Sequence, residues 1–301
     1  MNSILKNTFL KNAFLKNTWK LISLLTAIIV GTVLFAGSAM AAGGAGPEVK
    51  RQEWSFGGFN GQYDKAQLQR GFGVYKEVCA SCHGLKLLSY RNLVQKGGPE
   101  FSKEQALAIA KEATVIDGVD EDGEPKERPG KLSDRFQGPF KNETEARSAN
   151  NGAYPPDFSV LAKARTIHRH VPWYTEPYWW AYDMVTAYEE KGSDYIYALL
   201  TGYGTAPKGE VMGDGMNYNK YFPGHQIAMA NPLTDDAVEY TDGTATTAEQ
   251  HAKDVTAFMA WASEPHLNAR KNLGKRVQIY LLIFALLLFL AKKSVWARLK
   301  H

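Results

Sequence analysis

Residues 71–85 read GFGVYKEVCASCHGL. The chain's only two cysteines, Cys79 and Cys82, stand three apart here, with His83 directly after the second. Thiols at i and i+3 share one face of a helical turn and reach the two vinyl groups of a porphyrin, while the adjacent imidazole meets its iron. This is the c-type haem attachment pattern. A thioredoxin-like redox pair uses the same spacing beside a βαβ pattern, and a disulfide across two residues is strained and closes almost no loop. The histidine, together with the export signal described below, favours haem. A four-cysteine zinc or iron–sulfur site is excluded by count. Upstream, Leu68, Phe72 and Tyr75 recur at helical spacing and predict a helix over 64–79 whose apolar face meets the macrocycle.

Both ends of the chain are basic. Residues 5–19 are three imperfect pentads, LKNTF, LKNAF and LKNTW, followed by an apolar stretch over 21–37 and small residues at Ala39 and Ala41. A basic lead, an apolar middle and a small-residue site make a signal peptide over 1–41, cleaved near Ala41 or Ala42, with an uncleaved anchor as the alternative. Near the other end, residues 277–291 (VQIYLLIFALLLFLA) carry no charge. As a helix they span about 22 Å at about 1.5 Å per residue. Lys275 and Arg276 before the run and Lys292 and Lys293 after it extend that length by snorkelling, with Trp296 at the interface. We expect a transmembrane anchor over 273–295 and a short cytoplasmic tail over 296–301. A haem domain over 42–272 then lies on the periplasmic side of a bacterial inner membrane, in line with the positive-inside rule.

Four lysines before residue 42 and eight Lys/Arg from Arg270 onward leave 23 of the 35 basic residues in the middle, against all 31 acidic ones, a net −8. That sign excludes a nucleic-acid partner. It suits an acceptor with a basic face, because complementary charge speeds encounter without tight binding. Two acid clusters are candidates: Asp117, Asp120, Glu121, Asp122, Glu124 and Glu127, and Asp235, Asp236, Glu239 and Asp242. Solvated loop surface is the equal alternative for both.

A sixth iron ligand must come from elsewhere. Met229 sits in the Pro/Gly-bounded loop YFPGHQIAMANP (221–232), which can hold a thioether without helical constraint. His225 competes from four residues away, and Met212 and Met216 from a Gly-rich loop. Met259 falls in the helical run 252–262 and reads as core.

Several segments together resemble the cytochrome c1 family, the membrane-anchored haem subunits of ubiquinol:cytochrome c reductase, the cytochrome bc1 complex. They are the attachment segment 71–85, RPGKLSDRF (128–136), RSANNGAYPPDFS (147–159), DYIYALLTGY (194–203), YFPGHQIAMA (221–230) and AKDVTAFMAWASEP (252–265). The resemblance implies one covalent haem c on Cys79 and Cys82 with His83 and Met229 as axial ligands. It also implies Arg147 on a haem propionate, Tyr154, Pro155 and Pro156 along the haem edge, and Phe258 and Trp261 packed on the first helix. A guanidinium takes a carboxylate bidentately, and two prolines make a stiff wall with little entropy to lose. It further implies cytochrome b, a Rieske iron–sulfur protein as donor and a soluble cytochrome c as acceptor, in a dimeric complex in which this subunit makes no bonds.

The stretch between Arg165 and Asp194 departs from the family pattern: it is long, aromatic and turn-rich, and we read it as a local cap on the domain, with an extra contact surface as the alternative. The expected fold is mainly α, a c-type cytochrome domain with long loops around the haem and one C-terminal transmembrane helix. Few strands are expected, because the apolar runs are helical in period. Two rivals remain at this point: a haem enzyme with an open sixth position, which Met229 ligation would exclude, and a free-standing membrane-anchored electron carrier.

Overall fold

The computed structural model describes residues 48–119, 121–167, 169 and 171–297. The expected signal peptide, Asp120, His168, His170 and the tail from Arg298 lie outside the described residues. Helix α1 (Lys65–Val74) begins where the Asp64 carboxylate accepts from Gln67 N at 2.7 Å, satisfying an otherwise orphaned amide. It buries Leu68, Gly71, Phe72 and Val74. The helix does not run on to Cys79 in α form, as the spacing predicts. Tyr75–Cys79 widens into a π turn, which moves the attachment cysteines off the register that the preceding apolar positions set.

Next come α2 (Lys103–Lys111), opened by a Ser102/Gln105 capping box, and the antiparallel hairpin β1 (Thr114–Val119) with β2 (Pro125–Pro129). Helices α3 (Glu143–Ala149), α4 (Leu161–Ala164), α5 (Glu176–Thr186) and α6 (Lys191–Thr201) precede a two-residue ladder, β3 (Asn217–Tyr218) with β4 (Gln226–Ile227). The last two helices are α7 (Ala248–Ser263) and α8 (Leu267–Trp296). Among the described residues the fold is thus eight α-helices and two small hairpin ladders, mainly α as expected.

The core is the contact of α7 with α1, α4 and α6. Gly71 on α1 sits directly on the backbone of Asp254 on α7, so close that a Cβ there would lie 2.1 Å from the Asp254 carbonyl oxygen. Phe258 meets Phe72 and Tyr75, with centroids at 5.6 and 5.7 Å, which bears out its expected place against the first helix. Trp261 stands behind Phe258 at 5.5 Å and against Gly98. Two buried carboxylates cross-link the elements. Asp254 accepts from Arg70 Nε at 2.8 Å and from Gln67 and Gln250. Asp194 accepts from Trp54 Nε1 at 2.7 Å, from Gln52 N at 3.0 Å and from the Tyr188 hydroxyl. Burial pushes the Asp194 carboxyl above its ordinary range, against the pull of those three donors.

Helix α8 runs 30 residues, about 45 Å; it starts in the domain, with Leu267 buried and Asn268 and Lys271 half-buried, and is exposed from Arg276 onward. It begins ahead of the expected anchor at 273 and is long and apolar enough to cross a membrane. The aromatic stretch corrects our reading as a cap. Trp173, Tyr174, Tyr178, Trp180 and Tyr182 are exposed, because few positions on α5 face the domain and Asp183, salt-bridged to Arg169 and Lys191, takes one of them.

At the base of the first hairpin, the Arg128 guanidinium (Nη1–Oδ2 2.6 Å) and then the Lys131 amide hold the Asp134 carboxyl at about 2, below its ordinary 3.8. A depressed carboxyl contributes stability that is complete above the ordinary value and lost as pH falls through the depressed one. Thermal midpoints are therefore expected to drop between pH 4 and pH 2. Asp134→Asn should flatten that part of the profile; an unchanged slope in this variant would remove the pair from the acid response.

Candidate functional site

The attachment motif forms a tight turn: Cys82 N and His83 N both donate to the Cys79 carbonyl, at 3.1 and 2.9 Å. Both thiols are free and half-buried. Burial, with a smaller contribution from Cys82, pushes the Cys79 thiol up to about 12. That is opposite to the depressed thiol of a redox-active CxxC pair, and it counts against the thioredoxin-like alternative.

The segment after the prolines positions the histidine. Pro156 O accepts from His83 Nδ1 at 2.7 Å, Phe158 N donates to Gly84 O at 2.9 Å, Asp157 accepts from Lys86 N at 2.9 Å, and Ser159 Oγ accepts from Leu87 N at 3.0 Å. Residues 156–159 are thereby zipped along 83–87. The Phe158 ring stacks on the imidazole at 4.3 Å and fixes its plane. With Nδ1 as donor, Nε2 is the lone-pair nitrogen, and burial lowers the histidine's pKa and keeps the ring neutral. A metal-ligating imidazole anchored through its other nitrogen is the usual arrangement.

Cys82, Tyr154 and Pro155 line one cleft with Gly84, Lys86 and Asp157. The Arg147 guanidinium lies 5.6 Å from the Tyr154 ring centroid, but it is exposed, paired with Glu143 at 2.7 Å and bonded to Gly152 O. Met229 sits on a separate loop, where its carbonyl accepts from Tyr203 OH at 3.0 Å. Fully buried Asn219 organises that loop. Its side chain donates to Leu199 O at 2.7 Å and accepts from Tyr221 N and Phe222 N, and its amide donates to His225 O. Of the rival ligands, His225 stacks on Tyr218, Met216 is exposed, and Met259 is buried in α7 as core.

Sequence reasoning missed Asn219, Tyr203 and the stacking role of Phe158. Phe158 follows directly on the proline–aspartate segment, which was its only available signal. The second acid cluster is exposed, and three of its members are engaged in bonds within the domain. Asp235 caps α7 through Ala248 N at 2.8 Å, Asp236 accepts from Thr246, and Asp242 pairs with Arg70 at 2.7 Å. The hairpin acids Asp117, Glu121, Asp122, Glu124 and Glu127 are exposed.

Free thiols one turn apart, a neutral imidazole pinned through Nδ1 and a proline-walled cleft beside them fit a haem. On a helical domain carrying a helix able to cross a membrane, they define a membrane-anchored haem domain. The chain belongs to the cytochrome c1 family, which it matches over residues 54–299. It is 44% identical over 275 residues to cytochrome c1 of Blastochloris viridis, covering 91% of this chain and 95% of that protein. It is 42% identical over 264 residues to a cytochrome b-c1 complex catalytic subunit, mitochondrial, of Candida albicans, covering 87% and 82%. Against cytochrome b/c1 of Bradyrhizobium diazoefficiens it is 45% identical over 278 residues, which is 91% of this chain but 40% of that longer protein. Family membership implies a haem cofactor.

Proposed function

We propose that this chain is the haem-bearing electron-transfer subunit of a dimeric cytochrome bc1 complex, a ubiquinol:cytochrome c reductase. It takes single electrons from a Rieske iron–sulfur protein and hands them to a soluble cytochrome c. The observation that carries this reading is the His83 imidazole, neutral and anchored on Pro156 O at 2.7 Å, one residue from two free thiols. The names of the Candida albicans relative, a b-c1 complex subunit, and of the Bradyrhizobium diazoefficiens relative, cytochrome b/c1, support the complex and cytochrome b as a partner.

When bound, the haem supplies a reversible one-electron iron couple. Cys79 and Cys82 would hold one haem c through thioethers, and His83 Nε2 and the Met229 thioether would ligate its iron. Tyr154, Pro155 and Pro156 wall the ring edge and exclude water there. Arg147 takes a propionate, exchanging part of its pairing with Glu143 for it. The exposed hairpin acids offer docking charge for a basic acceptor. Residues 1–41 are removed on export, 42–272 form the haem domain on the periplasmic side, 273–295 anchor it in the bacterial inner membrane, and 296–301 are cytoplasmic.

Covalent attachment is tested by haem staining of the exported full chain on denaturing gels. Wild type is expected to keep its haem through denaturation, Cys79→Ser and Cys82→Ser each to keep it through one thioether, and the double variant to lose it entirely. Haem that leaves the wild-type chain on denaturation would overturn the assignment of both cysteines.

A further inference from the structure

The aromatic segment around α5 concentrates more exposed large hydrophobic side chains than any other stretch of the described domain apart from α8. Trp173 is 84% exposed, Val185 73% and Trp180 69%, with Tyr174, Tyr178 and Met184 beside them. The one central charge on the helix, Asp183, is neutralised by Arg169 at 3.1 Å and Lys191 at 2.7 Å. A patch this apolar on a secreted domain marks a contact with lipid or protein.

Two observations select lipid. The rings are tryptophan and tyrosine, each an apolar body with a polar tip, the chemistry that settles at the headgroup level of a bilayer. The second observation is position. The chain leaving α5 is fastened to the base of α8: Glu189 pairs with Arg270 at 3.0 Å, and Lys271 Nζ donates to Gly58 O at 2.5 Å. A Cβ on Gly58 would in turn lie 3.8 Å from Thr186 O. Arg270 and Lys271 precede the charge-free run of α8, which starts at 277, by about 10 Å of helix. The interfacial layer on each side of a bilayer is itself roughly 5–8 Å thick. The C-terminal end of α5 is therefore tied to α8 close to where that helix enters lipid.

We infer that the Trp173–Val185 segment rests in the headgroup layer of the membrane that α8 crosses, as a second, peripheral membrane contact that fixes the tilt of the haem domain. The inference rests on α8 crossing the bilayer. Its test is collision-based spin-label accessibility in the full-length holoprotein reconstituted in phosphatidylcholine nanodiscs, with the native cysteines occupied by haem. Nitroxides at Trp180→Cys, Leu286→Cys on α8 and Val211→Cys, an 84% exposed loop position, are compared for collision with oxygen, which partitions into lipid, and with an aqueous nickel chelate. The Trp180 label is expected to favour oxygen over nickel severalfold more than the Val211 label does, approaching the Leu286 label. A Trp180 label matching Val211 would put α5 in water. One shielded from both reagents would put it against a protein neighbour, and either result overturns the inference. A Leu286 label that behaves as aqueous would instead overturn the anchoring on which the inference stands.

Discussion

Replacing Met229 with leucine is expected to lower the haem midpoint potential by on the order of 0.2 V, within the roughly 0.8 V range that axial ligation spans. It is also expected to open the iron to carbon monoxide. Leucine is close to methionine in volume, so the loop around it keeps its packing. That loop is over-determined by Asn219, whose four hydrogen bonds tie it to α6 and to itself, and by Tyr203, which donates to the Met229 carbonyl at 3.0 Å irrespective of the side chain. The substitution therefore removes the sulfur and little else. A soft thioether prefers the ferrous state, and its loss moves the couple downward. Optical potentiometric titration of wild type and variant reads this directly. An unchanged midpoint, or a wild-type haem that already takes carbon monoxide, would remove Met229 as ligand. The choice would then return to His225, Met212 or Met216, and the enzyme with an open sixth position would become the better reading.

The parts of this molecule that were legible in its sequence are those in which one local pattern suffices. The spacing of Cys79, Cys82 and His83 points to a haem family, the absence of charge over residues 277–291 to a helix long and apolar enough to cross a membrane, and the composition of 252–262 to a buried helix. The π turn at Tyr75–Cys79 was not legible, because helical periodicity sees the apolar face and not the extra residue in the turn after it. Asn219 was invisible for a different reason: its importance comes from burial among backbone groups of α6 and the 221–225 loop, far apart in sequence and polar on their own account. The aromatic stretch misled in the opposite sense. Rings in quantity predict burial only if a surface exists to receive them, and it is the residues after α5, Glu189 on Arg270 and Glu190 on the Gly58 amide, that contact the rest of the domain while the rings stay exposed. Asp254 and Asp194, both fully buried, carry no local pattern that announces burial, and only the structure reveals them as cross-links.

Gly71→Ala is expected to cost the domain about 3 kcal/mol or more and to cut the yield of haem-loaded protein sharply. The new methyl would lie 2.1 Å from the Asp254 carbonyl oxygen, 2.7 Å from its carbon and 2.8 Å from Phe258 Cβ. The first two are backbone atoms of a helix, so no rotamer change relieves the contact and α1 must lift off α7. Lifting it stretches the 2.8 Å bond between Arg70 Nε and the fully buried Asp254 carboxylate, one residue along the same contact. A buried charge deprived of its partner is far costlier than the pair is stabilising, so the steric and electrostatic losses fall together. The same displacement carries away the end of α1 that leads into Cys79, which links packing to haem attachment. Gly204→Ala makes the same chemical change where a Cβ meets nothing within 4 Å, and it should stay within about 0.5 kcal/mol of wild type. Urea unfolding of the two variants, followed by far-UV circular dichroism, separates the cases. If Gly71→Ala unfolds at the wild-type midpoint, then α1 and α7 are not seated at this glycine, and the packing that presents the attachment turn has to be redrawn.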